Sequence, residues 1–187
     1  MDFWEVYDQH YGRVRQFVLA SVKDEWVADD LLQETFLRVQ ANLDSLKDPS
    51  KLSSWIFSIA HNLCRDHFRK ARRSSAHERV DQDDIEIIEA SSLQQELEQR
   101  QMGQCVQNLT NLLSESERTV IHLFDIMDFS HQEVAEILGI TVENAKVRLH
   151  RARKRLRSML EESCTFETDK RNVLTCEPVE PTKPSTC

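Results

Sequence analysis

Apolar residues recur at steps of three and four along most of this chain. Trp4, Tyr7, Tyr11, Val14 and Val18 form one stripe, and Leu32, Phe36, Val39 and Leu43 form a second. Leu52, Ile56, Ile59 and Leu63 make a third. Such spacing gathers the apolar side chains on one face of a helix. Three helices ending near Lys70 can bury these stripes against one another, which predicts a small first domain over residues 1–71. From Arg72 to Ser92 the apolar period is lost and charge and serine dominate, so residues 72–104 read as a flexible linker. A second helical domain is expected over residues 105–160. Ser114 with Glu117, and Ser130 with Glu133, have the spacing of a capping box and mark two helix starts. Val120, Ile121, Leu123 and Phe124 then supply one apolar face, and Val134, Ala135 and Leu138 the next. Pro178, Pro181 and Pro184 punctuate residues 161–187, which read as an extended or flexible tail.

Composition fits this pattern. The 187 residues include only 3 Gly and 4 Pro, which favours helices and offers few tight turns. β-branched runs of alternating polarity are absent from the sequence. The expected class is therefore all-α, with two small helical domains joined by an acidic linker.

Charge changes the picture through its distribution. The formal net charge is −8. Yet Arg65, Arg69, Lys70, Arg72 and Arg73 form one basic block, and Lys146, Arg148, Arg151, Arg153, Lys154, Arg155 and Arg157 form another. The acids Glu78, Asp81, Asp83, Asp84, Glu86, Glu89, Glu96 and Glu98 lie between them. An acidic spacer suppresses loose binding to polyanions and leaves the basic patches locally attractive. No apolar run is long enough to enter a membrane, and the start, Met-Asp-Phe-Trp-Glu, carries no export pattern. Five Cys in no compact framework suit a reducing compartment, so the expected location is cytoplasmic.

Within the second domain, Ser130 to Leu138 predicts a short helix, Gly139 a turn and Thr141 the cap of a following helix. A sharp glycine turn between two helices is the local geometry of a helix-turn-helix. Ala135 is small, as a close helix crossing requires. Ala145, Leu149, Ala152 and Leu156 share the inward face of the second helix, with Lys146, Arg148, Arg151, Lys154 and Arg155 around the outside. Those cations suit phosphates, while Glu143, Asn144, Lys146 and Val147 near the helix start could reach base edges. A charge run alone is also what a solvated face looks like. The caps, the turn, the small crossing residue and the basic helix together select the DNA reading.

In the first domain Asp30, Gln33 and Glu34 share the polar side of the second helix. Two readings stay open there, a solvated face and a protein-docking surface. On the third helix Asn62, Arg65, Arg69 and Arg72 run along one side, with Trp55, Phe57 and Phe68 interleaved. Cations with aromatics suit single-stranded nucleic acid. Core packing accounts for some of these aromatics equally well.

Taken together, these residues resemble a family. Asp29-Asp30-Leu31-Leu32-Gln33-Glu34-Thr35-Phe36 is similar to the polymerase-docking segment of extracytoplasmic-function sigma factors of the sigma-70 family. Ser54-Trp55-Ile56-Phe57-Ser58-Ile59-Ala60-His61-Asn62, continuing through Asp66 and Arg69, resembles the promoter-melting segment. Lys146-Val147-Arg148-Leu149-His150-Arg151-Ala152-Arg153 resembles the helix that reads the −35 element. The stretch from Leu160 through Cys164 to Asp169 is similar to the sigma-Z-like branch, although Ser163 precedes Cys164 where that branch often pairs two cysteines.

The resemblance implies a non-enzymatic subunit with no cofactor that directs promoter-specific initiation. Its partners would be bacterial core RNA polymerase (β′ clamp helices and β flap), promoter DNA and, in some systems, an anti-sigma factor. It assigns Asp30, Gln33 and Glu34 to polymerase. Trp55, Asn62, Arg65 and Arg69, with the loop from Leu46 to Ser53, would hold the melted −10 strand and a flipped base. Glu143, Asn144, Lys146, Val147, Arg148 and Arg151 would read −35 as duplex.

Other chemistries find little support. The sequence has no glycine-rich phosphate loop, and His131-Gln132-Glu133 lacks the second His of a metalloprotease helix, because Ala135 stands there. His61, Cys64 and His67 do not converge as a ligand set. No metal site is expected, although Cys164, Cys176 and Cys187 raise the question of a soft metal or an oxidation switch near the second basic helix. Two alternative functions remain beside the sigma reading, a stand-alone helix-turn-helix regulator and a thiol- or metal-responsive DNA-binding sensor.

Overall fold

The computed structural model describes residues 2–74, 106–168 and 174–178, with side chains up to residue 164. Most of the expected acidic linker lies outside the described residues, as does Cys187.

Helices α1 (Phe3–Val22), α2 (Glu25–Asn42) and α3 (Leu52–Ser74) form the first unit. Asp24 caps α2 by accepting from the Val27 amide at 3.0 Å. Lys23 closes α1 in the left-handed region, φ 61°, and lets the chain reverse. Short 3-10 turns at Leu43–Ser45 and Pro49–Lys51 join α2 to α3. Asp48 ties the second turn by accepting from the Ser50 amide at 3.0 Å and the Ser50 hydroxyl at 2.7 Å. Val14, Phe17, Val18, Leu32, Phe36, Val39, Ile56, Phe57 and Ala60 fill the core.

The second unit comprises α4 (described over residues 106–111), α5 (Glu115–Ile121), α6 (His131–Leu138) and α7 (Val142–Ser163). Both capping boxes form, at Ser114/Glu117 and at Ser130/Glu133. After α5 the chain widens into a π turn over His122–Ile126, closed by the Met127 amide donating to the His122 carbonyl at 2.9 Å. A π turn adds a residue to the helical repeat and redirects the chain. It delivers Met127 and Phe129 into the interior, where both are buried.

The two units are packed on each other. Their buried side chains form a single core cluster, with α3 lying along α6. The sequence reading of two domains separated by a linker did not anticipate this interface.

Three expectations need correction. Trp4 was placed in the apolar stripe of α1 but is exposed, standing at the helix start on the rim of a groove between α1 and α2. Phe57 was offered as an interleaved aromatic for nucleic acid but is fully buried against Phe17 and Phe129. In the tail expected from residue 161, the described residues are regular rather than flexible. Helix α7 runs to Ser163, and Cys164–Thr168 (β1) pairs antiparallel with Leu174–Pro178 (β2), in register Cys164↔Pro178 and Thr168↔Leu174. The helical class stands, with this hairpin appended. Cys164 is buried at its base and Cys176 lies on β2.

Candidate nucleic-acid interface

The helix-turn-helix is built as its residues predict. Ser130 accepts from the Glu133 amide, and Glu133 reaches back at 2.8 Å to the Ser130 amide. This reciprocal cap satisfies two of the amide donors that a helix start leaves free. Gly139 stops α6 at φ 65°, a conformation that costs residues with a Cβ but not glycine. The Ile140 amide then donates to the Ala135 carbonyl at 3.0 Å. Thr141 caps α7 by accepting from the Asn144 amide at 3.2 Å.

Three small steps fix how α7 lies. Ala145, Leu149 and Ala152 are buried against α5 and α6, with Leu156 half-buried further along. The opposite side therefore faces outward, and Glu143, Asn144, Lys146, Val147 and Arg151 are exposed at or near the helix start. Val147, 47% exposed, is an apolar side chain on an otherwise charged face, suited to a thymine methyl. Arg148 is half-buried and donates to Asn144 Oδ1 at 3.0 Å, which pre-sets both side chains on the same edge. Arg153 belongs to the scaffold. It pairs with Asp125 and stacks over Phe124, 5.1 Å from the ring centre, bracing α7 against the π turn.

On α3, Asn62, Arg65 and Arg69 are exposed along one side and Trp55 is half-buried near the start. Arg65 and Arg69 line a cavity of about 390 Å³ with Phe68, Arg72, Arg73 and Glu115. Arg69 is held by Asp66 at 3.3 Å and Arg72 by Glu115 at 3.1 Å. Four guanidinium groups around one aromatic ring make a surface that attracts a polyanion and offers a stacking plane. Glu115 comes from α5, so the second unit contributes one wall of a pocket otherwise lined by α3. Sequence spacing signalled the arginines and Phe68 but not Glu115.

His61 lies on the same helix in a different setting. Burial pushes its imidazole down to about 4, and the nearby Arg65 and Arg148 push the same way. Arg148 belongs to α7, so a charge of the second unit acts on this α3 residue. Cys64, one turn on, is buried, and its thiol is pushed up to about 12 chiefly by burial. Among the described residues no group of three His, Cys, Asp or Glu side chains is placed to hold a metal ion.

The third face is on α2. Asp30 and Gln33 are exposed, and Glu34 accepts from Arg38 at 2.7 Å. Beside them a groove of about 540 Å³ runs between α1 and α2, lined by Phe3, Trp4, Tyr7, Tyr11, Phe36 and Leu37, with Gln33 on its rim. Its aromatic rings touch in sequence, Tyr7 meeting Phe36 at 4.8 Å and Tyr11 at 5.1 Å. The sequence reading placed these aromatics in the core. Among the described residues no helix is long and apolar enough to cross a membrane.

Known proteins share this arrangement. Residues 6–74 match the family model described as sigma-70 region 2, and residues 103–156 match sigma-70, region 4. The chain is 31% identical to the ECF RNA polymerase sigma factor EcfG of Rhodopseudomonas palustris, covering 79% of this chain and 78% of the relative. It is 29% identical to the RNA polymerase sigma factor SigZ of Bacillus subtilis, over 91% of this chain and 93% of that one. SigM of the same organism is also 29% identical, so identity alone does not single out the sigma-Z branch. Among solved structures, the sigma factor RpoE of Bartonella quintana, in complex with the anti-sigma factor NepR, superposes with a TM-score of 0.71. That likeness has 28% identity and covers 86% of this chain and 97% of the other. Two family matches in chain order, a relative above 30% identity and a shared fold place the chain in the sigma-70 family, among its extracytoplasmic-function RNA polymerase sigma factors.

Proposed function

We propose a division of labour among the three faces for the promoter-specific initiation that this sigma factor directs. Asp30, Gln33 and Glu34 on α2 dock the β′ clamp helices of core polymerase. Trp55, Asn62, Arg65 and Arg69 on α3 hold the melted non-template strand of the −10 element, with the loop from Leu46 to Ser53 and the start of α3 forming the pocket for a flipped base. The start of α7, through Glu143, Asn144, Lys146, Val147, Arg148 and Arg151, reads −35 in the major groove. The observation that carries this reading is the pair of exposed, oppositely specialised helix faces. Helix α7 presents short polar and apolar groups at its start with cations beyond, which suits duplex readout. Helix α3 presents arginines around an aromatic cavity, which suits unpaired strands.

Polymerase carries out the chemistry in this scheme, so the chain needs no catalytic group or cofactor and works in the cytoplasm. The solved relatives RpoE and CnrH were captured with the anti-sigma factor NepR and with the cytosolic domain of CnrY. An inhibitory protein partner for this chain follows by analogy. The acidic linker and the tail thiols of Cys164, Cys176 and Cys187 have no assigned part in the scheme. A stand-alone regulator would need neither the α2 face nor the α3 cavity.

Run-off transcription tests the proposal. Purified core polymerase should initiate at discrete start sites only when this protein is added, and mapping those 5′ ends yields the promoter. Initiation that is indifferent to the protein would overturn the reading.

A further inference from the structure

The groove between α1 and α2 leaves large apolar side chains in water. Trp4, 65% exposed, begins a ridge of rings along α1, with Tyr7 next at 6.1 Å and Tyr11 beyond at 5.1 Å. Phe36 of α2 faces this ridge, its ring 4.8 Å from that of Tyr7. At the Tyr11 end stands the Asp29 carboxylate, accessible and held by Arg15 at 3.6 Å. Aromatic-lined grooves of this kind suit a polyproline II strand, because proline rings lie flat on aromatic rings and the strand has little conformational freedom to lose. The same chain carries such a segment. Pro178, Pro181 and Pro184 recur at every third residue. A polyproline II helix turns once in three residues, so these prolines form one edge of it, with Lys183 on the next. Pro181 and Pro184 would stand about 9 Å apart at ~3.1 Å per residue. Trp4 and Tyr11 are about 10.5 Å apart along α1 at ~1.5 Å per residue. The two prolines therefore match the two ends of the ridge, and with Pro184 at the Tyr11 end Lys183 comes beside Asp29.

The segment does not reach the groove of its own copy. Pro178 is paired with Cys164, the residue that follows α7. Three residues from there to Pro181 span at most about 10 Å. Helix α7 packs on α5 and α6, and α5 in turn touches α1. The second unit meets α1 through Arg13, which donates to the Met127 carbonyl. At 3.6 residues per turn Arg13 stands about 200° around α1 from both Tyr11 and Arg15, so the groove opens on the side turned away from the second unit. A tether of three residues cannot pass α5 and round α1 to that side. We propose that residues 180–184 of a second copy occupy the groove as a polyproline II strand, so that the free protein pairs by exchanging tails. A two-fold exchange uses both grooves, and two weak contacts in one pair reinforce each other. Gln33 lies on the groove wall, so an occupied groove obstructs the α2 face assigned to polymerase, and core polymerase competes with the exchange. That last step rests on the proposed docking role of Asp30, Gln33 and Glu34.

A fluorescent peptide of residues 177–187 tests the groove directly. It is titrated with the full-length chain carrying Pro181→Ala and Pro184→Ala, whose own tail no longer competes. The peptide should bind. Adding Trp4→Ala to the protein, a change at an exposed ring, should weaken binding by roughly 2- to 13-fold, the worth of one lost aromatic contact. Replacing both prolines in the peptide should weaken it at least as much. Lys183→Glu in the peptide should also weaken binding, and Asp29→Lys in the protein should restore it. Sedimentation velocity under reducing conditions, which excludes disulfide-linked pairs, reads the exchange itself. The wild-type chain should show a monomer–dimer equilibrium, shifted towards monomer by Trp4→Ala and by the two proline replacements. Peptide binding that is indifferent to Trp4→Ala or to the prolines would overturn the groove assignment. A wild-type chain that stays monomeric at every concentration would overturn exchange between copies. Core polymerase should displace the bound peptide, and a peptide retained in the complex with core would overturn the competition. Failure of core to bind the chain at all would strike instead the docking role beneath it, leaving the peptide and sedimentation results as they stand.

Discussion

Phe57 of α3 and Phe129, just ahead of α6, meet edge to face with ring centres 4.8 Å apart at an interplanar angle of 71°. Phe57 also touches Phe17 at 5.4 Å, so one ring belongs both to the core of the first unit and to the seam with the second. Aromatic pairs in this geometry stabilise beyond the area they bury. Truncating such a ring removes its transfer energy and leaves a cavity that rigid helices on either side cannot fill.

Phe57→Ala should therefore destabilise the whole chain by about 3–5 kcal/mol, while Phe57→Leu, closer in volume, should cost less than about half of that. Urea unfolding followed by far-ultraviolet circular dichroism gives both values. A wild-type midpoint for Phe57→Ala would mean that the ring is not packed as described.

His61 predicts how stability responds to acid. Burial first, then Arg65 and Arg148, depress its folded value to about 4 from the usual 6.5. The unfolded chain thus takes up a proton before the folded chain does, and the difference favours unfolding as pH falls. His61 contributes its full stabilisation above about pH 6.5, loses it progressively between about 6.5 and 4, and contributes nothing further below that. The depression corresponds to about 3 kcal/mol at most. Comparing wild type with His61→Gln by urea unfolding from pH 7.5 to 4.5 isolates this share. The wild-type decline should be steeper by up to that amount, and parallel curves would show that His61 titrates normally.

Much of this architecture was legible in the sequence because it is local. Ser130, Glu133, Gly139 and Thr141 each act within one helical turn, so spacing alone located α6, the turn and α7. The inward face of α7 followed from Ala145, Leu149 and Ala152 for the same reason. The interface between the units was not legible. Arg13 and Met127 stand 114 positions apart, and no periodicity links them. Phe57 shows how the ambiguity arises. Its position among Asn62, Arg65 and Arg69 suggested a stacking ring, yet it falls on the inner side of α3, where Phe17 and Phe129 cover it. Trp4 erred in the other direction, since a period of three and four identifies a face but not how deeply each position on it is covered.

Arg148 and Arg69 allow the proposed division of labour to be tested in one experiment. Arg148 shares an edge of α7 with Asn144 and is assigned to −35 duplex, whereas Arg69 lies in the α3 cavity and is assigned to the separated −10 strand. Losing a duplex contact weakens closed-complex formation, and a bidentate arginine-to-base contact is worth about 1–3 kcal/mol, or roughly 5- to 150-fold in affinity. On a template whose −10 region is already unpaired, initiation depends less on −35, so Arg148→Ala should be largely restored there. Arg69→Ala should remain impaired on that template, because its missing contact is to the unpaired strand itself. Its defect should also diminish little when −35 is improved towards the preferred sequence. Run-off yields on paired and pre-melted versions of one promoter give the two ratios. If both variants are restored equally, or neither is, α3 and α7 do not divide promoter recognition in this way.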